Sequence, residues 1–239
     1  MDDRQVAIFA TCVVEIVRPQ IVDATARALR GAGYRPTTVV GATCCGQPAA
    51  NAGATTAARR VARHTLRQLG KIDAPIVVPS GSCTTMIRHH WPQLFAGTRD
   101  EGAARSVSAR TYELTEFLAT QSAIAPGTPD TRGSVVYHPS CHLTRELDVV
   151  EPPRRALREA GYTITSLDDG DRCCGFGGTF SVTFADVSVA MADEKLDAVT
   201  ATGAGTVTSC DLSCLIHLEG RALARGLAVN FPHVAELLA

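Results

Sequence analysis

The sequence predicts an α/β fold made of two Rossmann-like modules with parallel sheets, related by internal duplication about a pseudo-twofold axis. Short β-rich runs alternate with helical stretches, which is typical of parallel sheets with right-handed crossovers. Segments of the first half also return in the second: "ALRGAGY" at 28–34 reappears as "ALREAGY" at 156–162. The chain therefore looks like one unit built twice.

Composition predicts where the two units meet. The stretch "QSAIAPGTPDTRG", 121–133, is rich in small residues, proline and glycine, as linkers are. We assign 1–122 to the first module, 123–133 to the linker and 134–239 to the second module. The end of the first module, "TYELTEFLA" at 111–119, resembles "FPHVAELLA" at the end of the second.

The elements of the first module are predicted in order from periodicity. Strands are expected at "QVAIFA", "TTVVGA" and "APIVVPSG". A helix over 17–33 has Pro19 in its first turn, where proline is tolerated. A second helix over 55–70 has an apolar face. The residues predicted to face the core from it are Ala58, Val61, Ala62, Thr65, Leu66 and Leu69.

The second module repeats this plan, and the nine cysteines follow the predicted strands. Its strands are expected at "SVVYHPS", "YTITSL" and "GTVTS", with a helix over 181–200. Because the carboxyl ends of parallel strands meet at one edge of a sheet, we expect the thiols of each module to converge there. The cysteines are Cys12, Cys44, Cys45 and Cys83 in the first module and Cys141, Cys173, Cys174, Cys210 and Cys214 in the second.

Each module contains two adjacent cysteines followed by glycine, and 31 residues separate the pair from a lone cysteine upstream. A disulfide within such a pair is disfavoured, since neighbouring Cα atoms lie about 3.8 Å apart and unstrained bridges need at least about 4.4 Å. The pair instead supplies two ligands from one sharp loop. We expect the following glycine to relieve backbone crowding close to an inorganic core.

Composition narrows the class of protein. The chain has 239 residues, 45% of them hydrophobic, and a net charge of −1 without a long basic run, so we expect no nucleic-acid partner. The N-terminus lacks the basic start of a signal peptide, and no apolar stretch is long enough for a transmembrane segment. We therefore expect a cytoplasmic protein, in which clustered cysteines indicate metal or redox chemistry.

The residues alone leave two kinds of metal centre open. Zinc usually takes four ligands, which the first module supplies, whereas the second has one thiol too many. Iron–sulfur clusters are also held by cysteine thiolates and need no zinc-finger spacing, so we favour them. Only for Cys210 is a purely structural role suitable, in which the cysteine is buried as a small hydrophobic residue.

The repeated pattern of a lone cysteine, a CCG triplet and a downstream cysteine resembles the cysteine-rich CCG domain. This domain occurs in the B subunit of heterodisulfide reductase, in iron–sulfur subunits of glycolate and glycerol-3-phosphate oxidising complexes, and in the lactate utilisation protein A family. Chain length, the absence of a ferredoxin-like segment, and the stretches "VVPSGSCTTMIRHHWP" and "DLSCLIHLEGRA" are most similar to the last of these.

The resemblance implies an iron–sulfur electron-transfer subunit of a multi-subunit L-lactate-oxidising complex, active with its partners rather than alone. The implied partners are a ferredoxin-like iron–sulfur subunit and a further small subunit. The implied cofactor is one or two clusters of the 4Fe-4S type, with zinc as the alternative at one site. Two other functions stay open: a heterodisulfide-reductase-like catalytic subunit acting at an open cluster, and a zinc-stabilised scaffold.

The downstream cysteines depart from the family pattern, which usually ends in C-x-x-C. The second module has Cys210 and Cys214 with three residues between them, and the first has Cys83 with Met86 where a second cysteine would stand. We therefore predict Cys214, as the counterpart of Cys83, to be a ligand. All nine cysteines are candidate cofactor-binding residues, and all except Cys210 are predicted metal ligands.

Polar residues near the cysteines allow functional and structural interpretations. His138 and His142 flank Cys141 as proton donors or alternative ligands, but we favour loop packing for both. His217 is expected to face the edge of the sheet at which the cysteines converge. Four arginines lie on the face of the helix over 55–70 that is opposite its apolar face. They form either a solvated surface or a docking patch for an acidic partner. These residues are Arg59, Arg60, Arg63 and Arg67.

Overall fold

The computed structural model describes residues 4–120, 132–167 and 170–239. The chain divides into two compact units, one up to residue 123 and the other from residue 124. The predicted linker lies outside the described residues except for Arg132 and Gly133. The Arg132 N–H donates to the carbonyl of Gly161, and the Gly133 carbonyl accepts from the N–H of Thr163. These two residues are thus tied to the second module.

The first module contains a four-stranded parallel sheet in the order β2-β1-β3-β4. Its strands are β1 (Gln5–Ile8), β2 (Arg35–Thr38), β3 (Ile76–Val78) and β4 (Thr111–Glu113). Its helices are α1 (Cys12–Val17), α2 (Gln20–Gly31), α3 (Gln47–Asn51), α4 (Thr55–Leu69), α5 (Gly81–Thr85), α6 (Trp91–Leu94), α7 (Glu101–Ala109) and α8 (Leu114–Thr120). A π-helical segment, Met86–His90, connects α5 to α6.

The second module contains a three-stranded parallel sheet in the order β6-β5-β7. Its strands are β5 (Ser134–Tyr137), β6 (Thr163–Thr165) and β7 (Val207–Thr208). Its helices are α9 (Glu151–Glu159), α10 (Phe180–Thr183), α11 (Ala185–Ala201), α12 (Leu212–Ala224) and α13 (Val234–Leu238), with a π-helical segment at His142–Glu146. Isolated parallel bridges, Thr206 to Asn230 and Ser209 to His233, stand where the first module has its fourth strand. These sheets confirm the predicted α/β class with two Rossmann-like modules.

Strand register matches the two modules residue by residue. Ile8 pairs with Val77 in the first sheet, and Tyr137 pairs with Thr208 in the second. Cys83 lies six residues beyond Val77, and Cys214 lies six residues beyond Thr208. The two cysteines are therefore structural counterparts, as the sequence suggested.

The core of the first module is built on β3, whose three residues are all fully buried between helices. Burying a Val, Leu or Ile side chain contributes roughly 1.5–3 kcal/mol each. Helix α4 covers this sheet with five of the six predicted residues, but Val61 is 36% exposed and lies at the edge of the apolar face.

Several element boundaries differ from the prediction. Strand β2 ends at Thr38, so Val39 and Val40 follow it, and Val40 is 87% exposed. The helix predicted over 181–200 is divided, because Phe184 leaves helical geometry between α10 and α11. The sequence did not predict the two π-helical segments. One follows α5, the short helix that contains Cys83, and the other directly follows Cys141. No helix in the described ranges is long and apolar enough to cross a bilayer.

Candidate metal centres

Four thiols converge in the first module from three separate segments. Cys12 begins α1 just after β1, Cys44 and Cys45 occupy the loop after β2, and Cys83 lies in α5. The Sγ atoms of Cys45 and Cys83 are 3.3 Å apart. Further thiol contacts join Cys12 to Cys44 and Cys44 to Cys45. The carboxyl ends of the strands thus bring together the four residues that the spacing predicted.

The second module repeats this arrangement with its own four thiols. Cys141 follows β5, Cys173 and Cys174 lie in the loop after β6, and Cys214 lies in α12. Thiol contacts run from Cys141 to Cys173, on to Cys174 and then to Cys214. Here a fifth side chain joins the group, because His138 offers a ring nitrogen within 4.8 Å of the Cys174 and Cys214 sulfurs.

The first cysteine of each adjacent pair is the one most readily ionised. Contact with the Cys12 thiol lowers the pKa of Cys44, and contact with the Cys141 thiol lowers the pKa of Cys173. The N–H of the glycine after each pair lies 3.4 Å from the same sulfur. By contrast, neighbouring sulfurs and burial raise the pKa of the second cysteine of each pair, which is Cys45 in the first module and Cys174 in the second. In each loop the first cysteine of the pair is therefore the thiol whose ionisation its neighbours favour.

The glycine that follows each cysteine pair is required because a helix packs against the loop at this residue, and not because of crowding next to a metal. Gly46 and Gly175 have φ values of +93° and +92°, which favour glycine. A Cβ at Gly46 would lie 2.8 Å from the Ala58 carbonyl oxygen of α4. A Cβ at Gly175 would lie 2.5 Å from the Ser188 carbonyl oxygen of α11. The following helix therefore packs directly on the backbone of the cysteine loop.

Cys210 occupies a different environment from the other cysteines. It is fully buried in the apolar cluster that includes Val135, Leu143 and Val234. Its Sγ lies 3.8 Å from the Tyr137 hydroxyl. Since it lies two residues beyond β7's last paired residue, its counterpart in the first module is Pro79, which is not a ligand type.

In the first module, neutral donors satisfy the carbonyls of the cysteine loop. The buried Trp91 donates its Nε1–H to the Cys45 carbonyl at 2.9 Å. The Thr65 hydroxyl donates to the Cys44 carbonyl at 2.9 Å and accepts from the Thr43 N–H at 3.1 Å. These bonds fix the direction of the loop without adding charge.

The second module has titratable groups at the corresponding places. Lys195, seven residues after Ser188 as Thr65 is after Ala58, is only 4% exposed, and its ammonium donates to the Gly170 carbonyl at 2.8 Å. Burial lowers the pKa of Lys195, while the nearby Cys174 sulfur favours its charged form. The Ser188 hydroxyl donates to the Gly175 carbonyl and lies 3.2 Å from His217 Nε2.

The histidines near Cys141 separate into two kinds. His142 is partly exposed, with Nδ1 at 3.6 Å from the Cys141 sulfur and Nε2 at 3.6 Å from a Glu146 oxygen. His138 is 1% exposed, and burial lowers its pKa to about 4. Both histidines therefore pack near the thiols, and His138 lies against Cys174 and Cys214. An alignment of the two halves of the sequence pairs His138 with Phe9 and Lys195 with Thr65. It therefore marks both positions as different between the modules.

The arginine run of α4 is only partly a solvated face. Arg59 donates to the Leu94 carbonyl at 2.7 Å, and Arg63 bonds to the Asp100 carboxylate at 2.6 Å. These two side chains tie α4 to the segment around α6 and α7, whereas Arg60 is exposed. Similarly, His89 and His90 are exposed on the π-helical segment.

Comparison with known proteins agrees with this double site. A family model described as a cysteine-rich domain, CCG, matches residues 6–88 and 135–219. Proteins named Lactate utilization protein A are similar over almost the whole chain. The one from Exiguobacterium sp. is 37% identical over 239 residues, covering 98% of this chain and 96% of the relative. Those from Geobacillus sp. and Bacillus cereus are 35% and 36% identical over 236 residues, covering 98% of both chains.

The chain belongs to the lactate utilization protein A family of CCG-domain proteins. Each matched range contains all four converging thiols of one module. As a donor set, four cysteine sulfurs from three segments, with hydrogen-bonded loop carbonyls, fit an iron–sulfur cluster. They also fit tetrahedral zinc.

Replacing the loop glycine tests whether helix packing holds the cysteine loop. Gly175→Ala should destabilise the chain by more than the roughly 1–2 kcal/mol that a left-handed backbone costs alanine, because its methyl group also collides with α11. Gly53→Ala is the matched control, since Gly53 has φ +73° and open space around it. Urea unfolding and metal content measure both variants. Equal losses of stability would show that the helix contact is unimportant.

Substituting the two downstream cysteines tests the register. Cys214→Ser should remove the metal bound by the second module, whereas Cys210→Ser should retain most of it, because only Cys214 lies among the thiols. Metal analysis of anaerobically purified protein gives the comparison. The ligand assignment is wrong if both variants lose metal equally.

Proposed function

We propose that this protein is an iron–sulfur electron-transfer subunit of a multi-subunit complex that oxidises L-lactate or a similar 2-hydroxy acid. The observation that carries the proposal is the pair of four-thiol groups in a chain whose relatives are named for lactate utilization. The same proposal places the protein in the cytoplasm, where reducing conditions keep such thiols available for metal.

The proposed cofactors are one cluster of the 4Fe-4S type in each module, with zinc as the alternative at one site. Cys12, Cys44, Cys45 and Cys83 would hold the first, and Cys141, Cys173, Cys174 and Cys214 the second. When bound, such clusters accept and release single electrons at potentials set by charge, hydrogen bonds and exposure. The protein's own part is to fix the thiols and to keep their loops shielded from water.

The proposed partners are a ferredoxin-like iron–sulfur subunit and a further small subunit. Support comes from exposed apolar side chains on the segments that carry the cysteines. In the first module, Ile16 in α1 is 81% exposed, and Val40 lies just before the cysteine loop. In the second, Val182 and Phe184 follow the loop and are 81% and 57% exposed. Docking at these rims would cover apolar surface and bring a donor near the thiols.

A second candidate function is catalysis at the second module, as in heterodisulfide-reductase-like subunits. It is favoured by the buried titratable groups around Cys174, since Lys195 and His138 are the kinds of side chain that transfer protons. A disulfide is the corresponding substrate class. Under this alternative, the purified chain would reduce a disulfide when supplied with electrons.

Metal analysis is the direct test of the proposed function. Protein purified without oxygen should contain iron and acid-labile sulfide and show broad visible absorption. Zinc in stoichiometric amount without iron or sulfide would overturn the electron-transfer proposal and leave the scaffold alternative. The Cys44→Ser variant keeps all second-module cysteines. Comparing its metal content with that of the wild type would show how much metal each module holds.

Reconstitution tests the role within a complex. The isolated chain should oxidise little lactate, because no flavin or nicotinamide motif is recognisable in its sequence, and activity should appear when its partners are added. His142→Ala, at the cysteine rim, should weaken coupling several-fold. Arg60→Ala, on the exposed face of α4, should not. Rapid lactate turnover by the chain alone with an artificial acceptor would contradict the electron-transfer role.

A further inference from the structure

His138 lies at the end of a strand whose backbone is fixed. It directly follows β5, and its N–H donates to the Thr208 carbonyl at 2.8 Å. Its side chain is 1% exposed. From this position one ring nitrogen and the sulfurs of Cys174 and Cys214 lie within 4.8 Å of one another. The imidazole therefore belongs to the thiol group spatially, although it comes from a different segment.

The His138 ring has no hydrogen-bond partner among the residues that the structure describes. Both Nδ1 and Nε2 are buried without one. Leaving a buried polar group unsatisfied costs about 1–3 kcal/mol, so such groups usually have a function or an unseen partner. A metal ion bound to the adjacent sulfurs would satisfy one of these nitrogens.

The first module shows that the fold does not require histidine here. Phe9 occupies the corresponding position directly after β1, and its N–H donates to the Val77 carbonyl at 3.0 Å. It is also 1% exposed. The same backbone thus accommodates a phenyl ring in the buried cluster that includes Cys45 and Cys83. Histidine at this position is therefore specific to the second module.

We propose that a ring nitrogen of His138 is a ligand of the metal centre held by Cys174 and Cys214 in the second module. A nitrogen and a sulfur bound to one zinc lie at most about 4.4 Å apart. The three donor atoms here lie within 4.8 Å of one another, so a small movement brings them into that range. Imidazole suits iron as well as zinc. The inference rests on the proposed metal centre, and it makes the two centres chemically different. The first module offers four thiolates, whereas in the second a neutral nitrogen joins the four thiolates as a fifth donor, on the metal atom bound by Cys174 or Cys214.

Spectroscopy of the full chain tests this ligand directly. Protein labelled with nitrogen-15 at histidine is purified without oxygen and reduced, and pulsed electron paramagnetic resonance measures nitrogen coupling to the paramagnetic centre. We expect strong, ligand-type coupling in the wild type. His138→Phe, which copies Phe9, should lose it. His217→Met, which copies Met86 at the corresponding place after Cys83, should keep it.

The outcomes separate the ligand from the cluster. Iron and sulfide without ligand-type nitrogen coupling in the wild type would overturn the role of His138 while leaving the proposed function intact. The weak coupling of a hydrogen-bonding nitrogen, or unchanged coupling in His138→Phe, would overturn it too. If the chain holds zinc alone, zinc-edge X-ray absorption replaces the resonance measurement. A nitrogen at about 2.0–2.1 Å that His138→Phe removes would then support the ligand although the cluster proposal had failed.

Discussion

The contact between each cysteine loop and the helix that follows it is the constraint on which both groups of thiols depend. In each module a glycine with left-handed backbone geometry allows a helix carbonyl to approach where any Cβ would collide. The glycine N–H is thereby directed at the sulfur of the first cysteine in the pair. This close packing of the helix on the loop backbone places two sulfurs at the carboxyl edge of the sheet. The lone cysteine and the downstream helix need only supply one sulfur each.

Duplication preserved this frame while the surroundings diverged. Ala58 and Ser188 provide the same carbonyl contact, yet only serine adds a hydroxyl, which bonds the Gly175 carbonyl. The neutral Thr65 is matched by Lys195 seven residues further along the second helix. The loop geometry does not depend on these side chains in the same way as on the glycine. The positions around the thiols were therefore free to change in polarity, and the second module became the polar one.

The sequence was sufficient for the fold and for the convergence of the thiols, because both follow from strand order and equal spacing. It was insufficient where tertiary contacts decide. Val61 matched the helical period but lies at the rim of the apolar face, and β2 ends before its two valines. His138 was visible as a residue, yet its burial against Cys174 depends on where β5 ends relative to the loop after β6. Spacing in one segment does not contain that information.

Charge distinguishes the surroundings of the two thiol groups most clearly. Thiolates in a buried site lose hydration, and the loss is offset only by donors and cations nearby. In the first module the donors next to the loop are neutral groups such as Trp91 and Thr65. Lys195 is the sole buried lysine or arginine within the described ranges, and it lies beside the second pair. A cation there stabilises added negative charge. The surroundings of the second module, and not those of the first, therefore place a buried amine where it can offset negative charge on the thiols.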